Sequence, residues 1–249
     1  MSNLFSNHSY LSQILVHKTL PIYKTYEFDF FRCVKFEDSF YGKTISELHN
    51  GNLRQNQGGR YSTLFPNEKI SYWADSQHVA QTEVKKHGAG NNLLTFWAYD
   101  DATSTFPTIL DREPLIIVDG IQLEFNNILD KIEHNQQLTC DEIKIIEEIS
   151  NEKPDCLAYE SHARKDSVNF LFFEKGFRKL SLREVRLRLG ERKEKNSTRV
   201  VSAITSDYSP IIENYGMYFA AIAKTKMNPA YKQNDEYLSR HKVLFGISK

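Results

Sequence analysis

The distribution of apolar residues along the chain predicts a series of β-strands. Leu93–Tyr99 (LLTFWAY) is an almost continuous apolar run, which is typical of a strand buried on both faces. Residues 182–189 alternate between polar and apolar types, as a half-exposed strand does. The other apolar runs have the length of ordinary strands. The principal strands are predicted at residues 30–34, 69–74, 93–98, 114–118, 156–160 and 168–173.

A helix is predicted over residues 77–87, after the potential N-cap Asp75-Ser76. Val79, Ala80 and Glu83 fall on one face of this helix, so Glu83 should turn inward. A carboxylate in that position is costly unless it meets a cation or several hydrogen-bond donors. Two interpretations follow, a structural pair between Glu83 and an arginine, or a carboxylate held in a cleft for chemistry.

The pattern also divides the chain into a larger domain, residues 1–190, and a C-terminal segment, residues 191–249. Residues 1–25 form an N-terminal extension, in which a short helix should end before Pro21. Residues of about 120–150 are a helical insertion with a capping box at Thr139 and Glu142, and we expect no catalysis there. The C-terminal segment begins with a charged linker and continues from residue 200 as a small helical appendage.

Composition restricts the class of protein. The 249 residues include 32 Lys and Arg against 32 Asp and Glu, so no net charge favours binding to nucleic acid or a membrane surface. Three scattered cysteines lack the spacing of metal ligands, and an odd number suits a reducing compartment. No apolar run reaches the length of a membrane span. We therefore expect a soluble, cytoplasmic protein without a bound metal, a nucleic-acid partner or a membrane partner.

Candidate binding residues precede and follow the strand at 69–74. The pair Gly58-Gly59 allows positive φ and a close approach of the backbone to a ligand. Arg60 follows directly, and its planar guanidinium suits phosphate or carboxylate. Tyr72 lies within the predicted strand and offers a flat ring.

These motifs, taken in order, resemble the RES family, which is named after an arginine, a glutamate and a serine. The segments GGRYS and SYWADS precede a helix with an inward Glu83, as in that family. Upstream, residues 31–34 (FRCV) are similar to its opening strand, and downstream residues 156–173 (CLAYESHARKDSVNFLFF) are similar to its closing block. The resemblance covers residues 30–174. The chain departs from the family pattern at Ser62 and Glu160 and in the longer interval between Glu83 and Ser161.

The resemblance implies a mixed, split β-sheet of the ADP-ribosyltransferase-like type with flanking helices, and an enzyme that consumes NAD. By carry-over, Glu83, Arg60 and Ser161 are the catalytic residues, and Arg32, Arg60, Tyr72 and Ser161 bind NAD. Two guanidiniums can hold a pyrophosphate, and a tyrosine can stack on a flat ring. Glu83 can bind ribose hydroxyls and stabilise the positive charge that develops at the anomeric carbon. The hydroxyl of Ser161 can orient the ribose or the nearby arginine.

Several alternatives stay open at this point. Ser167 lies in the same loop as Ser161 and can be aligned in its place, and His87 or His162 can act as a general base, although a loop histidine is more often incidental.

NAD can be cleaved by hydrolysis or phosphorolysis. The resemblance implies a toxin or defence effector, a neutralising antitoxin or immunity protein, and a homo-oligomer. The competing functions are a mono-ADP-ribosyltransferase that modifies a macromolecule and a catalytically silent nucleotide-binding module.

Overall fold

A computed structural model of the protein has a mixed α/β fold built on one large sheet. It describes residues 11–17, 20–25, 28–40, 45–55, 58, 60–66, 68–90, 92–99, 114–189 and 199–208. In this part of the chain no helix has the length and apolar character needed to cross a membrane.

The sheet contains eleven strands within the described residues. Their spatial order is β1-β2-β7-β8-β9-β5-β3-β6-β10-β11, and β4 pairs with β5 at the side. Adjacent strands are antiparallel except for β7 and β8, which are parallel. The strands are β1 (Leu11–His17), β2 (Leu20–Thr25), β3 (Asp29–Lys35), β4 (Arg54–Gln55), β5 (Lys69–Ala74), β6 (Leu93–Tyr99), β7 (Leu115–Asp119), β8 (Cys156–Glu160), β9 (Val168–Phe173), β10 (Ser181–Leu189) and β11 (Arg199–Tyr208).

Six α-helices and one short 3₁₀ helix (Asp38–Phe40) are present in the described residues. The α-helices are α1 (Ile45–Asn50), α2 (Arg60–Leu64), α3 (Gln77–Lys86), α4 (Phe125–Glu133), α5 (Cys140–Glu152) and α6 (Glu174–Phe177). Parallel strands require a long crossover, and α4 and α5 form the one between β7 and β8. The main-chain N–H of Thr139 donates to Glu142 Oε2 at 2.7 Å and that of Glu142 donates to Thr139 Oγ1 at 3.3 Å. The predicted capping box is therefore confirmed, and residues of about 120–150 are largely helical, as predicted.

The sheet has a weak joint between β3 and β5. These two strands are paired only at Phe31 and Ala74, whereas β3 is paired with β6 from Asp29 to Lys35. Every residue of β9 is buried, so this strand is covered on both faces. The sheet therefore consists of two halves that meet at this joint.

The predicted strands are confirmed, with ends that differ from the observed ones by a residue or less, and α3 is present where a helix was predicted. The prediction of a helix in the N-terminal extension is wrong. Residues 11–17 and 20–25 form the paired antiparallel strands β1 and β2. A strand tolerates Pro21 because this residue lies at the start of β2 and outside the ladder with β7, which runs from Ile22 to Thr25.

The prediction of a helical C-terminal appendage is also wrong for residues 200–208. Together with Arg199, the last residue of the predicted linker, they form β11, which is antiparallel to β10 and extends the sheet. The predicted linker up to residue 198 and the remainder of the appendage, residues 209–249, lie outside the described residues. The division of the chain at residue 190 stays a prediction, although β11 pairs across it.

One buried histidine gives a prediction for stability against pH. His49 of α1 is fully buried, and its ring stacks on Phe177 with centroids 4.5 Å apart. Burial, with smaller contributions from Arg178 and Arg32, lowers the pKa of His49 to about 3. The unfolded chain thus binds a proton that the folded chain does not, and His49 lowers the free energy of unfolding as pH falls from about 6.5 to about 3.

When the pH is lowered from 7.5 to 5.5, the free energy of unfolding should fall by about 1.4 kcal/mol more in the wild type than in His49→Phe. Urea unfolding at the two pH values measures this difference. His78→Phe is the control, because His78 is exposed. An equal loss of stability in His49→Phe and the wild type would contradict the assignment.

Candidate functional site

A cavity of about 710 Å³ lies at the joint between β3 and β5, where the two halves of the sheet meet. Its walls come from β3 and β5 on either side of the joint, from the inner face of α3, from α2 and α4, and from the ends of β8 and β9. Polar and charged groups from segments far apart in sequence therefore meet in one place. The cavity has the size of a site for a small organic molecule.

Glu83 is placed in this cavity by the sequence of α3. Ser76 caps the helix by accepting the N–H of Val79 at 3.3 Å, and Val79 and Ala80 are buried in a cluster that includes Cys33 of β3. Glu83 follows Val79 and Ala80 by four and three residues, and therefore lies on the same side of the helix. It reaches the cavity wall, as the pattern predicted.

Two neutral donors hold one oxygen of the Glu83 carboxylate. Ser161 Oγ donates to Glu83 Oε1 at 2.7 Å, and Asn169 Nδ2 donates to the same oxygen at 2.8 Å. Among the described residues Glu83 forms no ion pair, and Oε2 has no hydrogen-bond donor. The structure thus differs from the first interpretation, in which Glu83 neutralises an arginine.

The loop after β8 fixes the serine hydroxyl. Ser161 donates its main-chain N–H to the carbonyl of Ser167 at 2.8 Å, and Ser161 Oγ accepts the N–H of Ala163 at 3.2 Å. Ser161 is buried and contacts the cavity through Glu83. Of the two serines considered for the site, Ser161 is therefore the one whose hydroxyl bonds to Glu83.

Arg32 of β3 lies across the joint in the sheet. Its Nε donates to Asn52 Oδ1 at 2.9 Å, and its Nη1 donates to the carbonyl oxygen of Tyr72 at 2.6 Å. Burial, with a smaller contribution from Arg54, lowers the pKa of Arg32 to about 10, so the guanidinium stays protonated at neutral pH. The two bonds fix the direction of a positive charge that faces the cavity.

Arg60 is the first residue of α2, and Gly58, two residues before it, has a φ of +74°. Its Nη1 lies 3.1 Å from Glu133 Oε2 and 3.9 Å from Asp130 Oδ1, and all three residues line the cavity. Both carboxylates belong to α4. The helical insertion therefore contributes charged groups to the cavity, although catalysis was not expected there.

Three tyrosines form a cluster at the cavity. The ring centroid of Tyr61 lies 5.4 Å from that of Tyr72 and 5.6 Å from that of Tyr159. Tyr72 lines the cavity and is 39% exposed, whereas the other two are buried. Burial raises the pKa of Tyr72 to about 12 and raises the pKa values of Tyr61 and Tyr159 as well. All three hydroxyls are neutral at physiological pH.

The two histidines considered as general bases also line the cavity. His162 Nε2 lies 3.9 Å from Asp130 Oδ1, and the His162 carbonyl accepts a bond from Lys86 Nζ at 3.4 Å. His87 is the C-cap of α3. Within the described ranges no group of three or more His, Cys, Asp or Glu side chains has the arrangement of a metal site.

The structure brings together all the residues carried over from the resemblance. Arg32, Arg60, Tyr72 and Glu83 line one cavity, and Ser161 is hydrogen-bonded to Glu83. Sequence reasoning missed a second set of residues at the site, whose members are Asn52, Tyr61, Asp130, Glu133, Tyr159 and Asn169. The chain matches no protein-family model, no curated protein and no solved structure.

Proposed function

We propose that this protein cleaves the bond between nicotinamide and ribose in NAD, with water or inorganic phosphate as the acceptor. The observation that carries the proposal is the position of the Glu83 carboxylate and the way in which it is hydrogen-bonded. Its carboxylate faces a cavity and is held by the neutral donors Ser161 and Asn169, while its second oxygen is left for a ligand. A positioned negative charge of this kind suits a reaction in which positive charge develops on the substrate.

In the proposed reaction the glycosidic carbon–nitrogen bond breaks, and its electron pair remains on the nicotinamide nitrogen, so nicotinamide leaves as a neutral molecule. Positive charge grows on the anomeric carbon and the ring oxygen of the ribose. Glu83 stabilises that charge, because Ser161 and Asn169 hold its Oε1 in place while Oε2 is available to the ribose hydroxyls. Water or phosphate then attacks the anomeric carbon, and attack by water releases a proton.

The other walls of the cavity supply groups that suit the rest of the substrate. The guanidiniums of Arg32 and Arg60 match the pyrophosphate, and the exposed ring of Tyr72 matches a flat base. Arg60 is already paired with Glu133, but both side chains are accessible, at 28% and 58%. Accessible pairs are weak, so a phosphate can displace the carboxylate.

The fold supports a more specific form of the proposal, which concerns the type of sheet and the protein family. A sheet whose halves meet at the single pair Phe31–Ala74, with an arginine, a glutamate and a serine gathered at that joint, fits a split sheet of the ADP-ribosyltransferase-like type and the RES family. An enzyme of this activity drains NAD from the cell that makes it. The proposal therefore includes a cytoplasmic toxin and a neutralising partner protein.

Incubation of the purified protein with NAD labelled in its adenosine half tests the proposal. We expect free nicotinamide together with labelled ADP-ribose, or with a phosphorylated ADP-ribose when phosphate is supplied. Label retained on a macromolecule would instead indicate ADP-ribosyl transfer. NAD binding without either product would indicate a silent binding module.

A further inference from the structure

The ion pair between α2 and α4 places a carboxylate where a substrate phosphate would bind. Glu133 Oε2 lies 3.1 Å from Arg60 Nη1, and Asp130 Oδ1 lies 3.9 Å from the same nitrogen. All three side chains line the cavity. Arg60 together with its two carboxylates carries a net charge of −1, so this wall repels an anion as long as both carboxylates face it.

The second guanidinium of the cavity is in a different state. Arg32 donates to neutral oxygens of Asn52 and Tyr72, and within the described residues it forms no ion pair. Its positive charge is therefore uncompensated and available to a phosphate at once. Nη1 of Arg60 becomes available to a phosphate only when Glu133 gives way, because the edge of the guanidinium that faces Glu133 cannot hold both anions.

We infer that Glu133, assisted by Asp130, is a specificity-determining residue that competes with the substrate's phosphate groups for Arg60. This inference rests on the proposed function, since it assumes that a phosphorylated nucleotide enters the cavity. The carboxylate weakens binding of every ligand that needs Arg60. A ligand with a full pyrophosphate can displace the Glu133 carboxylate more readily than a ligand with less charge. The carboxylate therefore favours binding of the pyrophosphate ligand over the less charged one.

The affinity of the full chain for ADP-ribose, measured by isothermal titration calorimetry, tests the inference. We expect Glu133→Gln to lower the Kd about fivefold, because removing an accessible ion pair frees Arg60 for the ligand. Asp130→Asn should give a smaller gain, as its carboxylate is farther from Arg60. Asp141→Asn is the matched control, since Asp141 lies on α5 outside the cavity lining and is 90% exposed.

A double-mutant cycle separates competition for Arg60 from a general effect of charge. In an Arg60→Gln background the gain from Glu133→Gln should fall below about twofold, since no guanidinium is left to release. A full gain in that background would overturn the inference. An unchanged or higher Kd in Glu133→Gln would do the same, because Glu133 would then only anchor Arg60, while the proposed function would stand. If neither the wild type nor Glu133→Gln binds ADP-ribose, the proposed function fails and the inference fails with it.

Discussion

Glu83→Gln should slow the release of nicotinamide from NAD about 10²- to 10³-fold, with little change in NAD affinity or melting temperature. The amide keeps the shape of the side chain, and its oxygen can still accept the bonds from Ser161 and Asn169. What it loses is the negative charge that, in the proposed reaction, stabilises the transition state. Stability should change little, because Glu83 balances no arginine or lysine within the described residues.

Turnover of NAD, direct binding and thermal unfolding measure the three parts of this result. Glu147→Gln makes the same chemical change on α5, where Glu147 is exposed, and should leave all three unchanged. Expression offers a second readout, because the wild-type gene should arrest growth of the host and the Gln variant should not. A folded Glu83→Gln protein that binds NAD and releases nicotinamide at the wild-type rate would refute the role of Glu83.

Arg32→Lys should raise the Kd for ADP-ribose about 10- to 100-fold, even though lysine keeps the positive charge. A lysine ammonium cannot make the bonds from Nε to Asn52 and from Nη1 to the Tyr72 carbonyl while also presenting a donor to a phosphate. Each hydrogen bond to a charged group is worth about 1.5–3 kcal/mol, which sets the expected range.

Calorimetric titration with ADP-ribose measures the effect, and thermal unfolding shows how much the joint in the sheet is destabilised. Arg178→Lys is the control, because Arg178 is an accessible residue that pairs with Glu174 away from the cavity. An Arg32→Lys protein that folds and binds ADP-ribose as tightly as the wild type would remove Arg32 from the binding site.

The sheet and α3 could be predicted because burial leaves a direct trace in the sequence. A strand covered on both faces, such as Val168–Phe173, must be apolar almost throughout, and the inward face of α3 repeats with the period of a helix. The same argument located Glu83, since a charged residue on a buried face needs a cation or several hydrogen-bond donors as partners. Asn169 could have been found in this way too, because it is the single polar residue of its strand.

The errors arose where tertiary pairing decides the structure. In residues 11–25 the apolar spacing fits a helix as well as a hairpin, and pairing of β2 with β7 selects the hairpin. In β11 the β-branched residues Val200, Val201 and Ile204 favour a strand, and the edge of β10 supplies its partner. Asp130 and Glu133 could not be recognised, because charged residues on a helix normally face solvent, and only the contact of α4 with α2 turns them into cavity residues.

The hydrogen bonds of Glu83 come from residues that are made long after it. Ser161 and Asn169 follow Glu83 by 78 and 86 positions, so the carboxylate has neither of its two donors while the chain is still being synthesised up to that point. At the usual speed of a ribosome, about 5–20 residues per second, adding the residues from Glu83 to Asn169 takes roughly 4–17 seconds. Under the proposed function, a chain that ends before Ser161 lacks the positioned carboxylate, and a neutralising partner has that interval in which to bind the nascent chain.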